Sequence, residues 1–265
     1  MTNVIASIAH APYLGVMTNA NTVGELAVAM PEAIPVLERL GIDYCCHGEQ
    51  RVQSACSAAG ITADELLQLI GTAEKAPEGR TWETEAIGGL IHYIVDTHHT
   101  YTRQALQTLQ KLAEKVRNAH GANHPELLVV ERLVAELAAE LIPHMLKEEQ
   151  VLFPFVEKLE RGNAPVPFFG TVQNPIRMMM LEHETAGEKL IELRSLTMDY
   201  ALPEDACPSY KALFARLIEL EADLHRHIHL ENNILFPRAL ELEAGSQKNE
   251  LVGAGAIGEH HCRCR

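Results

Sequence analysis

The chain has only six cysteines, at Cys45, Cys46, Cys56, Cys207, Cys262 and Cys264, and two of them are adjacent. Six in 265 residues is too sparse for a stapled disulfide framework and points to a reducing cytoplasm. Basic residues are also scarce, with 22 Lys and Arg against 36 Asp and Glu and a formal net charge of −14. That balance repels phosphate backbones and anionic lipid, so neither nucleic acid nor a membrane surface is expected as a partner. No apolar run approaches the roughly 18 residues that a bilayer span needs. The opening MTNVIASIAHAPYLGVM has no basic segment ahead of its weakly apolar stretch, and so does not resemble a signal peptide. Strand signals are almost absent.

What is present is helical periodicity, in a chain long enough to bury a substantial core. The expected architecture is all-α. A flexible tail over 1–20 precedes a small helical domain over 21–76, a linker over 77–85, a four-helix bundle over 86–243, and a disordered tail over 244–265. The stretch APEGRTWETE is polar, with Pro and Gly, which places the linker. Thr62 followed by Glu65 has the pattern of a capping box, and Gly41 suits a helix C-terminus. Long helices are predicted near 86–118, 124–160, 175–198 and 209–243, separated by segments such as RGNAPVPFFGTVQNP.

Two phrases in the bundle nearly repeat: HMLKEEQVLFP from His144 and HIHLENNILFP from His227. Steps of three and four put His144 and Glu148 on the apolar stripe of one helix, with Val130, Val134, Leu137, Leu141, Val151 and Phe155. His227 and Glu231 take the same places on another, with Leu213, Leu217, Leu220, Leu224 and Ile234. A carboxylate inside an apolar bundle costs several kcal/mol unless it is paired. Neither stripe holds Arg or Lys there, so a metal is the better partner.

The other two helices offer His98, one turn beyond Ile94, and His183 on a stripe with Ile176, Met180, Gly187 and Leu190. Two helix pairs, each giving His plus His-x-x-x-Glu, are how a bundle holds a two-metal carboxylate site. Four His and two Glu suit ions of borderline hardness, iron first, then manganese or zinc. A single core histidine is ordinarily structural, but six residues in register on four stripes favour ligation. The remaining histidines are assigned away from the metals: His92 and His99 beside the first stripe, His225 and His229 flanking His227, His120 and His124 near a connection. Leu-Phe-Pro reads as core packing followed by a kink or stop. The run Met178-Met179-Met180 reads as flexible core filling.

Adjacent Cys45 and Cys46 cannot pair with each other without strain. They read equally as exposed thiols for redox chemistry, metal capture or partner contact, and as small buried residues in a turn. Cys56 and Cys207 read as structural.

Taken together, DYCCHG, IVDTHH, MLEHETAGE and the doubled His-x-x-x-Glu phrase resemble the bacterial iron–sulfur cluster repair di-iron proteins, from about residue 22 to 241. The resemblance implies a hemerythrin-like bundle and a non-haem di-iron centre, oxo-bridged when oxidised. Its ligands would be His98, His144, His183 and His227, with Glu148 and Glu231 bridging. It further implies a cytoplasmic role under nitrosative or oxidative stress, with damaged iron–sulfur proteins as partners and iron supply as the repair activity. Nitric oxide reduction, or carriage and sensing of nitric oxide or oxygen, stand as alternatives, and a homodimer is compatible. The family's Cys-Cys-Gly-Gly is here Cys45-Cys46-His47-Gly48, a departure that bears on the thiols.

Overall fold

A computed structural model describes residues 20–73 and 82–255, with side chains to Ser246. Most of the expected first tail, residues 74–81 (the end of the expected small domain and the first part of the linker expected over 77–85) and the last ten residues lie outside the described residues.

Helix α1 (Val23–Ala29) starts at a capping box: the Thr22 hydroxyl accepts from the Glu25 amide, and the Glu25 carboxylate accepts from that of Thr22. A short turn over Pro31–Ala33 leads into α2 (Ile34–Arg39). Gly41, at φ 64°, lets the Ile42 amide reach back to the Leu37 carbonyl and close α2. Helices α3 (Val52–Ala58) and α4 (Ala63–Thr72) complete this lobe, α4 from the Thr62–Glu65 capping box. Leu26, Leu37, Val52, Cys56, Leu66 and Ile70 make its core.

Four long helices follow. Helix α5 runs Ile87–Tyr93, widens into a π turn at Ile94–His99, and continues over Thr100–His120. Helix α6 comprises Glu126–Lys147, a π turn at Glu148–Leu152, and Phe153–Glu160. Helix α7 is Gln173–Leu196. Helix α8 comprises Pro208–Leu230, a π turn at Glu231–Leu235, and Phe236–Gly255, so it continues into the stretch expected to be a disordered tail. α5 packs on α6 and α8, and α6 on α7.

Leu-Phe-Pro does not stop either helix. Pro154 and Pro237 stand two residues past the last residue of each π turn, which widens the backbone where a proline ring would press on the carbonyl four residues back. The bundle has two apolar halves, one around Leu106, Val130, Leu137 and Leu217, the other around Ile94, Phe153, Ile176 and Phe236. Only Met179 of the methionine run enters the core; Met178 and Met180 are exposed, because the α7 stripe steps 176, 179, 183, 186, 190.

The lobe is seated on the bundle. Ile228 of α8 belongs to the lobe's core, and the Asn233 amide donates to the Tyr44 carbonyl at 2.9 Å. His120 and His124 stand with Asp205 and Tyr210 at the loop end of the bundle. Among the described residues no helix is long and apolar enough to cross a membrane.

Candidate metal centre

His144, Glu148, His183, His227 and Glu231 are all buried and converge between the two apolar halves. The sixth place is taken by His99, fully buried, rather than His98. The π turn is the reason. Its extra residue makes the next inward position after Ile94 a step of five instead of four. His98 lies outside the cluster: its Nδ1 is 3.0 Å from Asp223, and its ring stacks on His227 at 5.6 Å. His99, which the sequence reading placed beside the stripe, is the residue it missed. The available signal was spacing, since His99 is nearer than His98 to repeating the His183-to-His227 interval.

The donor atoms form two overlapping groups: His99, Glu148, His227 and Glu231; and His144, Glu148, His183 and Glu231. Both glutamates belong to both. Glu148 Oε2 is 3.4 Å from the Nε2 atoms of His99 and His144. Glu231 Oε1 is 3.0 Å from His227 Nε2, and its Oε2 is 3.1 Å from His183 Nε2.

Outer partners fix the rings. Nδ1 of His99 donates to Glu149 at 2.7 Å, and Nδ1 of His144 to Glu182 at 2.8 Å. Arg103 and Lys147 hold those two carboxylates in turn. Nδ1 of His183 donates to Asn232 Oδ1 at 3.0 Å, while the Asn232 amide donates to the Cys45 carbonyl. With Nδ1 carrying the proton in these three rings, their Nε2 lone pairs face inward. Yet the Nε2 atoms of His144 and His183 are 3.0 Å apart, and those of His99 and His227 3.1 Å.

Lone pairs at that distance repel unless something positive lies between them. Both oxygens of Glu148 and Oε2 of Glu231, deeply buried, lack an aligned hydrogen-bond partner. Burial alone would push His99 and His183 down, but hydrogen bonding and charge from the glutamates (Glu148 and Glu231 for His99, chiefly Glu231 for His183) lift them to about 10 and about 9. Burial outweighs that help at His227, which is lowered. The box demands positive charge, as protons or as cations, and its donors fit a pair of cations. Glu149→Gln should weaken cation binding about 10–100-fold with little change in fold, because it loosens the His99 anchor and gives up one partly exposed ion pair with Arg103; competition with a coloured chelator measures it.

Next to this box sit the thiols. Cys46 Sγ lies 3.8 Å from the His183 carbonyl. The hydrogen bond from the Cys45 thiol to Cys46 holds Cys45 above the ordinary thiol value and Cys46 below it. His229 and His225, flanking His227, pack against Tyr44 of the lobe.

A helical bundle that gathers four imidazoles and two shared carboxylates at its centre has the donor set of a cation-binding protein. Residues 90–239 match the model described as Hemerythrin HHE cation binding domain, and residues 19–74 match one described as Domain of Unknown function (DUF542). The chain is 36% identical over 226 residues to an iron–sulfur cluster repair protein YtfE from Pectobacterium carotovorum and 34% identical to that from Yersinia pseudotuberculosis. Each match covers 84% of this chain and 97% of the relative. The chain belongs to the iron–sulfur cluster repair family of hemerythrin-domain proteins.

Proposed function

We propose that the bundle holds two iron ions, one on His99 and His227, the other on His144 and His183, with Glu148 and Glu231 bridging. The protein uses them in the cytoplasm to repair iron–sulfur clusters damaged by nitrosative or oxidative stress, by supplying iron. The observation that carries this reading is the sharing of both buried glutamates between two histidine pairs. The relatives are named iron–sulfur cluster repair proteins, which supports the repair role.

Six side chains are too few to saturate two six-coordinate ions, so bound iron keeps exchangeable positions and can leave. The chain's residues supply the rest. Glu149 and Glu182 keep the His99 and His144 lone pairs aimed inward, and Arg103 and Lys147 hold those carboxylates from the outer face of the bundle. Asn232 couples the His183 ring to the backbone of the cysteine loop, so the lobe is mechanically connected to one end of the centre. Phe153 and Phe236, stacked near His99 and His183, exclude water from one side.

Elemental analysis of the purified chain should give about two irons. His99→Leu should lose iron, whereas His98→Leu, which removes a ring outside the donor groups, should keep it. The iron-loaded protein should restore the absorption of a nitric-oxide-damaged iron–sulfur protein faster than equimolar free ferrous iron does. Equal rates for the protein and free iron would remove the repair role, and iron retained by His99→Leu would remove the ligand set.

A further inference from the structure

Outside the bundle a second set of donors converges. Asp43, Cys45 and Cys46 bring one carboxylate oxygen and two sulfurs within 4.8 Å of one another. Asp43 Oδ1 accepts from the amides of Cys45 at 3.0 Å and Cys46 at 2.9 Å, a turn that presents both thiols on the same side. The sulfurs are 3.8 Å apart, and Cys45 Sγ is 3.4 Å from Asp43 Oδ1. Two thiolates bound at about 2.3 Å to one tetrahedral ion stand about 3.8 Å apart, and a thiolate and a carboxylate oxygen about 3.6 Å.

The surroundings suit a cation. His47 Nδ1 holds Asp43 Oδ2 at 2.7 Å, and His47 Nε2 is 3.5 Å from Glu184 of α7, so the carboxylate is oriented from behind. Both cysteines line a cleft of about 940 Å³ between lobe and bundle, whose walls include Glu25, Glu49 and Glu83. Gly187 of α7 leaves room for the nearer thiol: a Cβ there would lie 3.4 Å from Cys46 Sγ. The loop is tied down by Asn232 and Asn233 donating to the carbonyls of Cys45 and Tyr44.

We infer that Asp43, Cys45 and Cys46 form a third cation site, for one thiophilic divalent ion of the zinc or ferrous class, reached through the acidic cleft. Binding exchanges two thiol protons for the ion, with no change of oxidation state: two S–H bonds break, two sulfur–metal bonds form, and two protons go to solvent. The carboxylate gives the third ligand and the cleft side stays open. This site does not depend on iron filling the bundle.

Cobalt(II) added to the full-length Glu148→Leu chain, in which the bundle centre is disabled, tests it. The expected result is one tightly held cobalt with thiolate-to-cobalt charge-transfer absorption in the near ultraviolet and release of about two protons. Cys46→Ser, at a half-buried position and with its fold checked by circular dichroism, should abolish that absorption. His47→Gly, on the surface, should weaken it. The native chain, titrated until its bundle is filled, should develop the same absorption. Its absence from both proteins overturns the assignment, as does its persistence in Cys46→Ser, which would point to other cysteines such as Cys262 and Cys264. Cobalt confined to the bundle with no thiolate signal would do the same while leaving the dinuclear centre intact.

Discussion

Glu148→Leu should empty the dinuclear centre completely and leave the metal-free protein as stable as before, or more so. Glu148 belongs to both donor groups, so its removal takes a donor from each. In the metal-free chain the same side chain is a liability. It is fully buried and neither oxygen has a hydrogen-bond partner. Replacing a whole buried ion pair by apolar residues of similar volume is commonly neutral or stabilising by about 1–4 kcal/mol, whereas removing one partner costs about 3–5 kcal/mol where it strands the other's charge. Taking away Glu148 does not strand a positive charge, because His99, which Glu148 and Glu231 together lift, can give up its proton, which a buried Lys or Arg would not do as readily. Glu148→Gln should behave differently. It too loses the metals, but its amide would stand beside the inward Nε2 lone pairs of His99 and His144, 3.4 Å from Glu148 Oε2, so its metal-free stability should stay near native without the gain expected of the leucine. Denaturant unfolding in chelator, set beside metal analysis, separates the two variants. Near-native iron in Glu148→Leu, or a large loss of metal-free stability, would contradict this account.

The same chemistry explains which parts of the centre could be read from the chain. His144, Glu148, His227 and Glu231 were legible because polar residues recur in a duplicated phrase on positions that an apolar stripe should own. His183 followed from the same rhythm. The first helix misled by one residue. Periodicity arguments assume 3.6 residues per turn, and nothing in IVDTHH announces the wider turn that brings His99 inward in place of His98. The methionine run failed for a related reason: the phase of α7 was extrapolated from Ile176, and a step of four instead of three exchanged Met180 for Met179. The seating of the lobe was not legible at all. It rests on Asn232 and Asn233 meeting backbone atoms of Cys45 and Tyr44 across more than 180 residues of sequence, and asparagines beside a ligand have no periodicity to betray them. Leu-Phe-Pro looked like a terminator because proline ends a regular α-helix; a π turn just before it removes the reason.

Gly48→Ala should unseat the lobe and through it loosen one end of the centre. The glycine is needed for space. A Cβ at Gly48 would lie 2.7 Å from Asn233 Oδ1, 3.1 Å from the Tyr44 carbonyl and 3.2 Å from the Gly24 α-carbon. A Cβ at Gly24 would lie 2.5 Å from the same Asn233 oxygen, so the two glycines together make room for Asn233, and the Gly24 amide donates to the Gly48 carbonyl at 2.8 Å. Asn233 cannot swing aside without cost, because its amide donates to Tyr44 and meets His229. Overpacking of this kind costs about 1–3 kcal/mol. Relief comes most readily by the lobe lifting, which withdraws the Cys45 carbonyl from Asn232 and frees the His183 ring. Thermal unfolding should fall, and the cations should exchange about 10–100-fold faster under chelator, the size of effect that follows loss of an outer partner. Asn233→Ala alone should also destabilise, since it gives up both of its hydrogen bonds. Combined with Gly48→Ala it removes the colliding atom, so the double variant should lose less than the two single losses together, with a coupling of about 0.5–3 kcal/mol. Strict additivity would show that the two residues act separately and that the glycine is not there to make room for the asparagine.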